Sequence, residues 1–255
     1  MSSERSRYQV GLSPRWARRM VAGRPLLSST VEIWLVRHAQ PEWVRDGLAV
    51  GDPPLTAVGL RQAELLSQSY RHLKPTHVAV SPMRRARQTA APLLAALKMD
   101  EVIEDWLEEV RDPDWHGQPA EVTFEAYEEE SRRSAHDRWH GLQGGENVRD
   151  FTERVSSGAQ DWLARHGVRR ADPHLPVWHI DDLDRNIMAI AHGGTNGVIV
   201  CELMGVPHSP WEWRRFAHQH AGVSRFRSFG VGETRAFTLE QLSSVEHLPV
   251  GLRTY

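Results

Sequence analysis

The sequence holds one cysteine, Cys201, so no intramolecular disulfide can form, and the chain suits a reducing, cytoplasmic compartment. Cys201 lies in the apolar run Gly197-Val198-Ile199-Val200-Cys201, which is the setting of a buried structural thiol rather than a nucleophile. No apolar run is long enough to cross a bilayer. Neither sign of charge dominates: 31 basic against 33 acidic residues gives −2, leaving no global field to draw the chain onto nucleic acid or a membrane. There is no Walker-type glycine loop and no GxGxxG, so no nucleotide cofactor is called for. What is present is an ordinary globular composition, 40% hydrophobic and 25% charged. It is spread over 255 residues, enough for one large domain carrying an insertion.

Residues 1–30 differ from the rest. They carry Arg5, Arg7, Arg15, Arg18, Arg19 and Arg24 with little apolar periodicity, and the stretch after Arg18-Arg19 is too short for a signal segment. A flexible basic tail is the expectation, with an organellar transit peptide as the alternative.

From Ile33 the chain alternates short apolar strands with helices. Ile33-Trp34-Leu35-Val36 reads as a buried strand ending at Arg37-His38. Thr56 is placed to cap a helix with Leu60, Ala63, Leu66 and Leu73 on one face. A second strand over 76–80 ends at Ser81-Pro82, where Ser81 reads as a cap and Pro82 as the first helical residue of a helix reaching Leu97. Residues 101–110 read as a strand running into a loop. Residues 121–139 read as a charged, solvated helix, part of a small helical cap insertion over about 112–145. Asn147 to His166 is amphipathic, residues 171–185 are loop-like, and Ile187–Ala191 is a third strand ending at His192-Gly193-Gly194, before a helix from about Thr195. Residues 215–237 suggest one or two further strands turning near Gly230 to Glu233.

Strands alternating with helices predict an α/β three-layer sandwich around a mostly parallel sheet, with ligands at the carboxyl edge of the strands. That edge gathers Arg37, His38, Ser81 with the arginines after it, and His192, while Gly193 and Gly194 let backbone approach a ligand. Helix N-termini there add backbone N–H groups. The sum is a pocket for a tetrahedral dianion, and two arginines in it speak against a metal. His136 and His140 at i, i+4, and His218 and His220 on one face of a strand, have metal-compatible spacing that is also common by chance among 14 histidines.

These residues, taken in order, resemble a family. Leu35-Val36-Arg37-His38-Ala39, Pro54-Leu55-Thr56-Ala57-Val58-Gly59, Ser81-Pro82-Met83-Arg84-Arg85-Ala86-Arg87-Gln88-Thr89, Leu107-Glu108-Glu109-Val110, Gly145-Glu146-Asn147 and Ala191-His192-Gly193-Gly194 are similar to successive blocks of the histidine phosphatase (phosphoglycerate mutase-like) superfamily. The resemblance implies a catalytic domain over 31–255, with His38 as a phosphorylated nucleophile and Arg37, Arg85, His192 and Gly193 holding the phosphoryl group. Arg85, rather than Arg84 or Arg87, falls in the register Ser-x-x-x-Arg-Ala-x-Gln-Thr. Glu109 would be the general acid, with Glu108 the competing choice. No metal and no cofactor are implied. Ala39 stands where the family often has glycine, and Gln40 where an acid is common. The stretch Arg111 to Pro119 does not match the insertion of the cofactor-dependent mutases, so a phosphomonoesterase acting on a small phosphorylated metabolite is the leading expectation. A 2,3-bisphosphoglycerate-dependent mutase and a catalytically silent phosphate-binding module stay open, as does a homodimer.

Overall fold

The protein was analysed as a computed structural model that describes residues 30–255; the expected basic tail over 1–30 lies almost wholly outside the described residues. Ten strands and six α-helices follow one another: β1 (Val31–Arg37), β2 (Val44–Arg45), β3 (Leu48–Ala49), α1 (Ala57–Tyr70), β4 (His77–Val80), α2 (Arg84–Leu97), β5 (Val102–Ile103), α3 (Ala120–Arg132), α4 (Val148–Arg165), β6 (Val168–Arg170), β7 (Trp178–Ile180), β8 (Arg185–Ala191), α5 (Gly193–Met204), α6 (Glu212–Arg215), β9 (Val223–Val231) and β10 (Thr234–Ser244).

Eight strands form one sheet in the order β5-β4-β8-β1-β9-β10-β7-β6. The first four are parallel, and the remainder pair antiparallel through the long β9–β10 hairpin. The sheet is therefore mixed rather than mostly parallel. A hairpin turned at Gly232 brings β10 back beside β9 with no crossover helix, so the C-terminal strands must run antiparallel.

The parallel strands are apolar on both sides because both faces are covered. Ile33, Leu35, Ala79, Ile187 and Ala189 face α4 and α5, packing with Phe151, Val155, Trp162 and Val198. The alternate residues Trp34, Val36, Val78, Val80, Met188 and Ile190 face α1 and α2, packing with Leu66, Ala90 and Leu93. The period of two in β1, β4 and β8 thus generates the three layers. Among the described residues, no helix is long and apolar enough to cross a membrane.

Three local expectations change. The α-helix starting at Ala120 stops at Arg132 instead of reaching Trp139. Ser134 exchanges hydrogen bonds with the Asp137 side chain and backbone N–H, which starts a separate 3-10 turn over Asp137–His140. His136 and His140 consequently do not share a face of one α-helix. The loop over 171–185 contains β7, a three-residue strand between β10 and β6 that is too short to carry a periodic signal. Finally, α2 starts at Arg84 with Met83 as its cap residue, because the Ser81 hydroxyl is engaged elsewhere.

Candidate active site

Parallel β1, β4 and β8 end side by side, and their carboxyl ends deliver the chemistry. The His38 amide donates to the Ala191 carbonyl at 2.8 Å, and the Ser81 amide to the Ile190 carbonyl at 3.0 Å, so the chain leaves all three strands at one level. His38 and His192 are buried, with ring centroids 5.0 Å apart. His220, in the loop before β9, brings a third ring to 5.6 Å from His38.

The backbone after His38 is held from three sides. The Thr89 hydroxyl accepts from the Ala39 amide at 2.9 Å and donates to the Arg85 carbonyl at 2.7 Å, which ties the loop after β1 to the helix that carries Arg85. Gln62 Oε1 accepts from the Gln40 amide at 2.8 Å, and the Thr56 hydroxyl donates to Gln40 Oε1 at 2.8 Å while capping Gly59 N–H at 3.0 Å. Gln40, where an acid is common in the family, thus completes the cap of α1. Gly59 permits this contact: a Cβ there would stand 2.1 Å from the Gln40 carbonyl oxygen.

Tautomers follow from the partners. His38 Nδ1 lies 2.8 Å from the Ala39 carbonyl, which can only accept, so Nδ1 carries the proton and Nε2 keeps its lone pair. Burial pushes the His38 pKa well below 6.5, and the positive charges of Arg85 and Arg37 and the His192 ring act in the same direction. His192 is lowered likewise, by burial first and then by Arg85 and Arg37. Both imidazoles are neutral across the physiological range.

His192 Nε2 lies 2.7 Å from the Ser81 hydroxyl, leaving Nδ1 without a partner. Arg37 gives Nη1 to the His218 carbonyl at 2.5 Å, and its Nε is unpartnered. Arg85 is buried under the Trp43 ring at 4.7 Å, with Asp52 at 3.8 Å, and its Nε and Nη1 make no hydrogen bond. His220 Nε2 is likewise unpartnered. Buried polar groups without partners are costly and rare. Five such atoms gather around one imidazole.

Glu109 reaches the same place from a loop. Its carboxylate accepts from the Gly194 amide at 2.9 Å, the Thr195 amide at 3.1 Å and the Thr195 hydroxyl at 3.4 Å, over the N-terminus of α5. The close approach belongs to Gly194, where a Cβ would meet Glu109 Oε1 at 2.5 Å. At Gly193 a Cβ would meet Arg37 Nε at 3.7 Å, an ordinary contact. Glu108 turns away to Arg111 at 2.7 Å. Arg154 fixes this loop by donating to the Trp106 and Glu108 carbonyls while paired with Glu146 at 2.8 Å.

Arg37, His38, Arg85, Glu109, His192 and Gly193 therefore stand together. Sequence reasoning placed Ser81 at this edge as a helix cap, and it missed His220, Thr89 and the rim residues Trp43, Asp52, Asp112 and Tyr127, the last two joined by a 2.7 Å hydrogen bond. His218 and His220 sit in a loop, not on a strand face. His218 turns to Ser224 and Phe216, and His220 to Thr254, so the two rings do not converge as a ligand pair.

The sequence matches the histidine phosphatase superfamily (branch 1) over residues 33–237, most of the chain. The chain belongs to that superfamily. Among relatives of this histidine phosphatase, a putative phosphoserine phosphatase 2 of Hydrogenobacter thermophilus is 29% identical over 68% of the chain and 79% of the relative. A probable phosphoglycerate mutase of Salmonella paratyphi C is 25% identical over 76% and 84%. The solved structure of a mycobacterial glucosyl-3-phosphoglycerate phosphatase superposes with a TM-score of 0.63 at 20% identity, covering 84% of this chain and 99% of that one, which shows a shared fold.

Proposed function

We propose that the protein hydrolyses a small phosphorylated metabolite through a phosphohistidine on His38. The observation that carries this reading is the set of unpartnered N–H groups of Arg37, Arg85 and His192 around a buried, neutral imidazole. Phosphoryl transfer needs positioning and charge stabilisation above all, and fixed guanidiniums suit bidentate contact with phosphate oxygens.

In the first step the lone pair of His38 Nε2 attacks phosphorus. A P–N bond forms as the ester P–O bond breaks, and protonated Glu109 gives its proton to the leaving oxygen. The Ser81 hydroxyl donates to His192 Nε2, so that Nδ1–H points to a phosphoryl oxygen beside Arg37 and Arg85. In the second step the Glu109 carboxylate takes a proton from water, the resulting hydroxide attacks phosphorus, and the P–N bond breaks. Neutral His38 and protonated Glu109 are restored.

Phosphatase chemistry on a small phosphorylated metabolite is supported by the superfamily match and by phosphatase-named relatives. We take residues 112–145, which hold α3 and border Arg85 through Asp112 and Tyr127, as the segment that selects the substrate. A cytoplasmic location agrees with the single cysteine, and a homodimer is to be read by light scattering. The relatives named phosphoglycerate mutase favour a second reading, mutase activity dependent on 2,3-bisphosphoglycerate. A panel of phosphorylated metabolites, including phosphoserine and 3-phosphoglycerate, separates the two. Phosphate release lost in His38→Ala supports hydrolysis, whereas interconversion of monophosphoglycerates that needs the bisphosphate overturns it in favour of the mutase.

A further inference from the structure

At the far end of α5 from Glu109 and His192, about 12 Å along the helix at 1.5 Å per residue, stands a second group of side chains. Cys201 of α5, His208 of the following loop and Glu212 at the start of α6 bring their donor atoms within 4.8 Å of one another. Cys201 and Glu212 are buried, Glu212 being 1% exposed.

Two atoms of this group are unexplained by the fold. Glu212 Oε1 is occupied by the Ser209 amide and by Arg215 Nη1 at 3.2 Å, whereas the buried Oε2 accepts from no group outside the cluster. His208 Nε2 lies 3.0 Å from Glu202 Oε1 and 3.2 Å from the Ser156 hydroxyl. A carboxylate can only accept, so Nε2 carries the proton, and Nδ1 presents a lone pair that has no partner either. Glu202 is itself held by Gln160 at 3.0 Å and Arg170 at 3.4 Å. A histidine oriented by an anchored carboxylate, with its other nitrogen bare, is the outer-shell arrangement of metal-ligating imidazoles.

The backbone is built for the encounter. A Cβ at Gly197, one turn before Cys201, would stand 3.0 Å from both Glu212 Cβ and the Glu212 carbonyl oxygen. Only a glycine there lets the α6 segment press against α5 closely enough to set Glu212 beside Cys201.

We propose that Cys201, His208 and Glu212 bind a divalent, borderline-soft cation such as Zn2+, a structural ion separate from the phosphate pocket. One sulfur, one imidazole and one carboxylate are the donors that ion takes, with water as a fourth ligand on the partly exposed His208 side. Thiolate and carboxylate together neutralise the ion's charge. Uptake forms the metal–sulfur bond as the thiol S–H bond breaks and releases that proton to solvent. The bound ion would brace the segment leading to His218, whose carbonyl receives Arg37.

Cys201 is the only cysteine, so a thiolate–cobalt charge-transfer band can come from no other residue. Metal-free, untagged full-length protein is titrated with Co2+ and then with Zn2+. The expected result is that band saturating at one equivalent of Co2+, displaced by Zn2+ and absent in Cys201→Ser. Glu202→Gln should keep the band and weaken Zn2+ binding about 10–100-fold. No band in the wild-type protein at stoichiometric Co2+ overturns the proposal, and so does a band that persists in both His208→Ala and Glu212→Ala.

Discussion

Each catalytic group depends on a neighbour that makes its state unambiguous. In the proposed reaction His38 is the nucleophile because its Nδ1–H donates to the Ala39 carbonyl, leaving Nε2 with its lone pair, and because burial beside Arg85 and Arg37 keeps the ring neutral. Arg85 is different: Nε and Nη1 carry no hydrogen bond, so its fork is free for phosphate oxygens. Arg85→Lys retains the charge but loses the planar fork, and kcat/KM should fall about a hundredfold. Steady-state kinetics beside a urea melt check this, and near-wild-type kcat/KM in a folded variant would remove Arg85 from the site. At this scale much was readable, because Arg37, His38 and His192 end apolar strands whose pattern is plain. His220 was not: it lies 182 positions from His38, and only the loop before β9 brings them together. Ser81 was misread as a helix cap, since a serine before Pro82 looks the same whether its hydroxyl turns to Met83 or, as here, chiefly to His192.

At the scale of elements, α1 and α2 act as braces for the loop that follows β1. Thr89 of α2 and Gln62 of α1 hold consecutive amides after His38, and Gly59 sets how closely α1 approaches. Gly59→Ala forces a Cβ against the Gln40 carbonyl, and backbone cannot yield as a flexible side chain does. The variant should lose about 1–3 kcal/mol or more of stability, read from urea denaturation, and kcat should fall with it. A loss below about 0.5 kcal/mol would mean that the loop moves freely. Thr56 was legible as a cap because a side-chain oxygen ahead of an amphipathic run has one common use, whereas Asn147, read as the first helical residue, proves to be the cap of α4. The end of α3 at Arg132 was not, because Ser134 and Asp137 compete for the backbone in a stretch whose charges carry no burial signal.

For the whole molecule, the parallel half of the sheet supplies the site, and the antiparallel half supplies the loop bearing His218 and His220. Sequence periodicity identified the parallel strands and the turn near Gly230 to Glu233 but not how much of the sheet is antiparallel, because a hairpin strand and a crossover strand share the same alternation. The fold also buries histidines in their neutral form. Burial lowers His218 to about 4 and His220 to about 3, from 6.5. Between those values the unfolded chain binds protons that the fold refuses. Stability is therefore complete above about pH 6.5 and is lost as pH falls toward 4, each group contributing up to about 1.4 kcal/mol per unit. Urea melts at about pH 6 and about pH 4.5 should show His218→Asn with a shallower loss than wild type, and an unchanged loss would contradict its burial as a neutral ring. The central claim, however, is covalent. Rapid acid-free quenching during turnover of a labelled aryl phosphate, followed by peptide mapping, should find an acid-labile, base-stable phosphoryl group on His38, and none on the His38→Ala protein. Turnover of the same ester with no label on His38 at any time, or with the label on another residue, would contradict the account.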